Sequence, residues 1–270
     1  MRLALINLGI FLSCILYGSW RSYTKHKDHA RQTHSTRPTR SKGFELRHNV
    51  RLISVNLFCL CLINTWGLWA FSHYMNTDFP FNFSNFSNFS GLSNMGVILT
   101  QFIVIAWLDD LVFYGWHRLL HSHPWLMRHI HGIHHRARQP YPIEFIYAHP
   151  VEWLGGAVGL FLALALIILV CGQINAYVMF AYSAFRTLRE ISIHTEKPAK
   201  PATASILSRW PRFFASAESH RLHHELARGN FASGFTYLDY LFGTKLEKTK
   251  KPSPKEDPSS SGVGARPLKG

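Results

Sequence analysis

WLDDLVFYGWHRLLHSHPWLMRHIHGIHH, residues 107–135, decides how this chain is read. Its opening residues close an apolar run that begins at Met95, and residues 117–135 hold seven histidines. A run of roughly 20 apolar residues is what a helix needs to cross a hydrocarbon core. Met95–Trp116 therefore reads as a span that delivers the histidines to one membrane face. His117 and His121 stand four apart, which places them on one face of a helix. His131, His134 and His135 form an HxxHH box, and His220, His223 and His224 repeat that spacing far downstream. His149 and His194 lie between the two boxes.

Working outward, the chain has 270 residues, and its apolar residues come in long blocks. Leu3–Trp20 is a first expected span, Leu52–Tyr74 a second and Met95–Trp116 a third. The block from Trp153 to Phe185 is interrupted by Cys171-Gly172-Gln173-Ile174-Asn175, a turn that predicts a helical hairpin with arms of fewer than 20 residues. Cys14, Cys59, Cys61 and Cys171 all sit inside apolar blocks with no CxxC pair, so they read as buried small hydrophobes.

The formal net charge is +14, and the Lys and Arg crowd the segments between apolar blocks. That pattern is explained by membrane topology, so no nucleic-acid partner is expected. The basic loop marks the cytosolic side, and both histidine-rich regions then fall on that side. FNFSNFSNFS, residues 81–90, offers sequons at Asn82, Asn85 and Asn88 and reads as an interfacial loop with its rings at headgroup level. The expected organisation is a transmembrane helix over 1–20, a basic cytosolic loop over 21–51, and a helix plus the Phe/Asn/Ser-rich loop over 52–94. A histidine-bearing catalytic domain over 95–246 and a disordered basic tail over 247–270 complete it. The fold class is all-α: a multi-pass membrane bundle with a cytosolic, histidine-rich helical cap around a dinuclear metal centre.

Imidazole is the commonest metal ligand and binds in its neutral form. One HxxxH and two HxxHH boxes supply eight imidazoles, more than the four that a structural zinc takes, so the count fits two metals. Ligand type alone does not choose among zinc, copper, iron and nickel. His26, His29, His34 and His48 in the basic loop read as solvated, His73 as interfacial, and His123 and His129 as bystanders. Asp110, Glu152 and Glu190 are expected to support the ligating histidines from behind.

These boxes around paired membrane helices resemble the sterol desaturase/fatty acid hydroxylase superfamily. DLVFYGWHRLLH resembles the family's entry into its first box. HHRARQPYPIEFIYAHPVE and HHELARGNFASGFTYLDYLFGT are similar to the C-4 methylsterol oxidase branch. Two positions depart from that branch: His194-Thr195-Glu196-Lys197 replaces its HxGY continuation, and Arg221 stands where its third box carries an acid.

The resemblance implies a non-haem di-iron centre, with O2 as co-substrate, that hydroxylates or desaturates a membrane lipid, a sterol-like one favoured. Fatty-acyl, ether-lipid and carotenoid substrates are the alternatives, as is a metal-binding membrane protein without turnover. The implied ligands are His117, His121, His131, His134, His135, His149, His194, His220, His223 and His224. The chain carries no flavin, haem or iron–sulfur motif. Electrons are therefore expected from a separate cytochrome b5-type or ferredoxin-type carrier, at a bacterial inner membrane or endoplasmic reticulum.

Overall fold

The computed structural model describes residues 2–33, 46–67, 69, 92–136, 142–171, 174–194 and 213–246. The Phe-Asn-Ser repeat, His34, His73 and the tail from 247 lie outside these residues. Helix α1 is Arg2–Thr33, α2 is Leu46–Leu62, α3 is Leu92–Ser122, α4 is Pro150–Cys171, α5 is Ala176–Ile193, α6 is Ala217–Leu226 and α7 is Tyr237–Leu241. A π-helical turn, Ile63–Gly67, continues α2. No strand occurs among the described residues beyond an isolated bridge between Phe214 and Phe235, so the all-α expectation holds.

Among the described residues three helices are long and apolar enough to cross a membrane: Ala4–Thr24, Met95–Ser122 and Pro150–Cys171. The second expected span is shorter among the described residues, with Val50–Trp66 as its apolar helix. Helix α1 does not stop at Trp20 where its apolar block ends but runs on to Thr33. Backbone hydrogen bonding is indifferent to side-chain polarity, and no proline interrupts it. Of the two hairpin arms, expected at fewer than 20 residues, one is longer and one agrees. Helix α4 has 22 residues, because it starts at Pro150, where proline is tolerated in a first turn, rather than at Trp153. Helix α5 has 18 residues, capped by the Asn175 side chain, which accepts from the Tyr177 amide at 2.8 Å.

Helices α3, α4 and α5 pack around Ile105, Ala163, Leu164, Ile167, Val178 and Tyr182. Gly159 makes the α3–α4 approach possible, because a Cβ there would lie 2.9 Å from the Asp109 Cα. A second apolar cluster joins α1, α2 and α5 to the 3-10 turn Pro142–Ile146 through Phe11, Leu60, Phe145, Ile146 and Ile191. Buried Asn56 pins that turn by donating to the Ile146 and Ala148 carbonyls at 2.7 and 2.5 Å. The outer face of α4 leaves Leu154, Leu162, Leu169 and Val170 exposed, as a lipid-facing helix does.

Candidate metal centre

Helix α3 carries the first two histidines past its apolar part and ends at Ser122, just before Pro124. The residue before proline is disfavoured in helix, and His123 is extended, at φ −98 and ψ 114. The chain re-enters helix at Pro124 and continues through a π-helical turn, Met127–His131, that turns the second box back over the first. Gly132 allows it, since a Cβ there would sit 2.6 Å from the Met127 carbonyl oxygen. Helix α5 ends on His194 as its C-cap. Helix α6 opens with a Ser216–Ser219 capping box and presents the third box.

These elements assemble two groups of imidazoles. His117, His121, His131, His135 and His223 form one, and His134, His194, His220 and His224 form the other. Within each group one ring nitrogen from every member lies within 4.8 Å of the rest. The HxxHH spacing explains the partition. Positions i and i+4 share a helical face and stay together, while the histidine at i+3 turns toward the neighbouring group. The second box gives the pair His131/His135 to the first group and His134 to the second. The third box does the reverse, giving His220/His224 to the second group and His223 to the first.

The rings are aimed from behind. Nδ1 of His117 donates to the Phe231 carbonyl at 2.6 Å, His121 to Ala227 at 3.0 Å, His134 to Tyr147 at 3.3 Å, His194 to Glu190 at 2.7 Å and His223 to Gly229 at 2.7 Å. His131 Nδ1 lies 3.0 Å from the Glu152 carboxylate. A carbonyl only accepts, so the proton sits on Nδ1 and the Nε2 lone pair faces the centre. His117 Nε2 and His131 Nε2 are then 3.1 Å apart, and His194 Nε2 and His220 Nε2 also 3.1 Å. Burial, reinforced by neighbouring imidazoles, holds His131, His135, His220, His223 and His224 well below the ordinary histidine range. Extra protons therefore do not separate these lone pairs, and His223 Nε2 is buried with no hydrogen-bond partner. A metal cation in each group relieves both problems, so the residues fit a dinuclear site.

Nine of the ten expected ligands are brought together. His149 is not: its Nδ1 accepts from the Val151 amide at 3.2 Å, at the start of α4. His123 and His129 also lie outside both groups. Of the three expected supporting acids, Glu152 reaches a histidine with its carboxylate. Glu190 holds His194 through its backbone carbonyl instead. Asp110 touches no histidine; it accepts from the Gly234 and Phe235 amides at 3.0 and 3.2 Å and anchors the C-terminal segment. Asp109 pairs with Arg186 at 3.0 Å and accepts from the Tyr182 hydroxyl.

Asp239, not singled out in the sequence, accepts from the Phe231 and Ala232 amides at 2.8 and 3.3 Å and from Thr244 Oγ1 at 2.8 Å. It thereby holds the loop whose Phe231 carbonyl orients His117. Its one sequence signal was its place in the GNFASGFTYLDYLFGT stretch. Arg221 pairs with Glu225 on the outer side of α6.

Beside the second group lies a small cavity of about 90 Å³, walled by apolar side chains together with Asn7, Asn64, Arg186 and Glu190. Phe145, Trp153 and Glu190 line its histidine end, and the Phe145 and His194 ring centroids are 6.3 Å apart. Ile63, Ala157 and Phe161 are shared with a second recess bounded by Leu154, Val158 and Leu162 on the outer face of α4.

Fold and site together define a class: a multi-pass helical membrane protein with two histidine clusters that fit a dinuclear metal site. The fatty acid hydroxylase family matches residues 102–244, and the chain belongs to that family, within the sterol desaturase/fatty acid hydroxylase superfamily. It is 29% identical over 184 residues to methylsterol monooxygenase 2-1 of Arabidopsis thaliana, covering 63% of this chain and 65% of that protein. It is 33% identical over 151 residues to methylsterol monooxygenase 1 of Rattus norvegicus, covering 55% and 47%. It is 30% identical over 183 residues to the very-long-chain aldehyde decarbonylase GL1-8 of Oryza sativa, covering 65% and 64%. The chain thus spans between about half and two thirds of the length of these relatives. No solved structure matches it.

Proposed function

We propose that this chain is a membrane-bound non-haem di-iron oxygenase that uses O2 and two electrons to hydroxylate, or desaturate, a C–H bond of a membrane lipid. A sterol-like substrate is favoured. The observation that carries the reading is the pair of largely buried imidazole groups in which five Nδ1 atoms are tied to carbonyls and the Nε2 atoms converge. His117, His121, His131, His135 and His223 would hold one iron, and His134, His194, His220 and His224 the other. When bound, the irons supply the O2 activation and C–H cleavage that acid–base side chains do not.

The chain's own residues do the rest. The carbonyls of Phe231, Ala227, Tyr147, Glu190 and Gly229 fix the tautomers. The Glu152 carboxylate draws the His131 proton outward and adds negative charge to an otherwise neutral ligand set. Phe145 and Trp153 wall the cavity beside His194 and keep that side apolar. A lipid would enter sideways past Ile63 and the outer face of α4. Electrons would come from a cytochrome b5-type or ferredoxin-type carrier, drawn to the basic cytosolic side.

Methylsterol monooxygenases among the relatives favour the sterol-like substrate. The aldehyde decarbonylase match favours, as a second reading, a long-chain aliphatic substrate at the same site. The test is iron content of the purified full chain, followed by O2 uptake with a reductant and a comparison of membrane lipids with and without the gene. Two irons per chain and an oxidised lipid are expected. A folded chain that binds no metal would overturn the reading.

A further inference from the structure

The end of α7 carries an exposed apolar tip that the metal site does not use. Tyr240, Leu241 and Phe242 are 49%, 71% and 50% exposed. They follow Asp239, which is buried and accepts from the Phe231 and Ala232 amides. An apolar tip left in water forgoes the gain of burial, so its height relative to the bilayer decides what covers it.

Helix α3 sets that height. Its apolar run Met95–Trp116 is about 33 Å long at the helical rise, close to the roughly 30 Å of a hydrocarbon core. The two acids inside the run, Asp109 and Asp110, are buried in the protein. Arg118 is the first Lys or Arg after Arg51. The hydrocarbon boundary on the histidine side therefore falls near Trp116–Arg118.

Ile103, Trp107, Tyr114 and Arg118 share one face of α3 by the helical period. Ile103 and Trp107 are exposed within the span, so this stripe faces lipid. Tyr114 lies on the same stripe yet is buried, because Phe242 stacks on it, with ring centroids 5.6 Å apart and planes at 19°. The Tyr114 hydroxyl shares a 2.8 Å hydrogen bond with Thr244 Oγ1. The Arg118 guanidinium lies 5.4 Å from the Phe242 ring centroid, and Lys245 Nζ lies 5.7 Å from that of Tyr240. The tip thus continues the lipid-facing stripe at the level where α3 leaves the hydrocarbon. Aromatic rings suit that level, and long basic side chains there lay their stems on apolar surface and turn their charge to the phosphates.

We infer that Tyr240, Leu241 and Phe242 form an interfacial anchor that dips into the phospholipid leaflet on the histidine side, with Arg118 and Lys245 at headgroup level. The bilayer then braces Asp239 and, through it, the loop whose Phe231 carbonyl aims His117. The anchor depends on the membrane spans and not on the proposed activity.

The test is fluorescence quenching on the full-length chain in phospholipid nanodiscs. Cys14→Ala, Cys59→Ala, Cys61→Ala and Cys171→Ala remove the native thiols, and Leu241→Cys carries one environment-sensitive label. Glu225→Cys, at an exposed position of α6, is the reference. Iodide quenches from water, and phospholipids with a nitroxide high or low on the acyl chain quench from within the bilayer. The Leu241 label should emit to the blue of the Glu225 label, be quenched by the nitroxide lipids and be shielded from iodide. Its depth should be about 5–10 Å into the headgroup–acyl boundary.

A Leu241 label quenched by iodide and untouched by nitroxide would overturn the proposal and leave the tip to a soluble partner such as an acidic carrier. Shielding from both quenchers would overturn it as well, with protein covering the tip. Equal nitroxide quenching of both labels would overturn the boundary drawn at Arg118, and the anchor with it. If Leu241→Cys fails to fold, Tyr240→Cys carries the label on the same tip under the same expectations.

Discussion

His134 and His135 are neighbours in sequence but belong to different imidazole groups, so substituting them singly separates the two metals. His135→Ala leaves four imidazoles in its group, His117, His121, His131 and His223. Four donors are enough for a closed tetrahedral site. His134→Ala leaves three, His194, His220 and His224. A four-ligand site in small metal-binding domains is worth about 10–16 kcal/mol, or about 3 kcal/mol per ligand. Losing one of four should therefore weaken the second site by about a hundredfold, and losing one of five should weaken the first by less.

The assay is chelator-competition titration with ferrous iron or zinc on detergent-purified full-length protein. Gel filtration and helical circular dichroism control for folding. The wild type should show two sites. His134→Ala should keep one at wild-type affinity and weaken the other about a hundredfold. His135→Ala should affect the opposite site, and more mildly. If both folded variants gave the same curve, or each lost both metals together, the partition read from the HxxHH geometry would be wrong.

Glu152→Leu removes the carboxylate behind His131, and supports of this kind are worth about 10–100-fold in metal affinity. The same titration should show that loss at the five-histidine site alone. Gly159→Val drives a Cβ against the Asp109 backbone, which has no room to yield. Folded yield should collapse, whereas Gly115→Ala, with nothing within 4 Å, should express as wild type. Asp110→Ala strips the partner from the amides of Gly234 and Phe235. It should lower the unfolding midpoint, at about 1–3 kcal/mol for each orphaned amide, while the folded fraction still binds two metals. Arg221→Ala breaks a partly exposed i,i+4 pair with Glu225 and should change stability by less than about 1 kcal/mol.

Much of the site was legible because ligand spacing is a local property. HxxxH and HxxHH are set by the helical period, and all eight histidines of these boxes converge, joined by His194, which the family resemblance implied. His149, which only the resemblance implied, lies outside both groups and accepts the Val151 amide at the start of a helix that opens on proline. The adjacent acids Asp109 and Asp110 had no joint explanation in the sequence. The fold gives them opposite neighbours, Arg186 and Tyr182 for one and the Gly234–Phe235 amides for the other. Their partners come from α5 and from the segment before α7, separations over which periodicity carries no information.

What the sequence determined by itself was therefore the class: apolar blocks long enough to span a membrane and histidines at helical spacing. Each of these follows from hydropathy or from the 3.6-residue repeat. Only the tertiary structure decided how the boxes divide between two groups, which carbonyls fix the tautomers, and where the cavity ends. The reason is that a turn such as Met127–His131 re-aims a helix, and packing at Gly159 sets how closely two helices approach. A buried lone pair such as that of His223 Nε2 becomes informative only when its three-dimensional neighbours show that no hydrogen-bond partner reaches it.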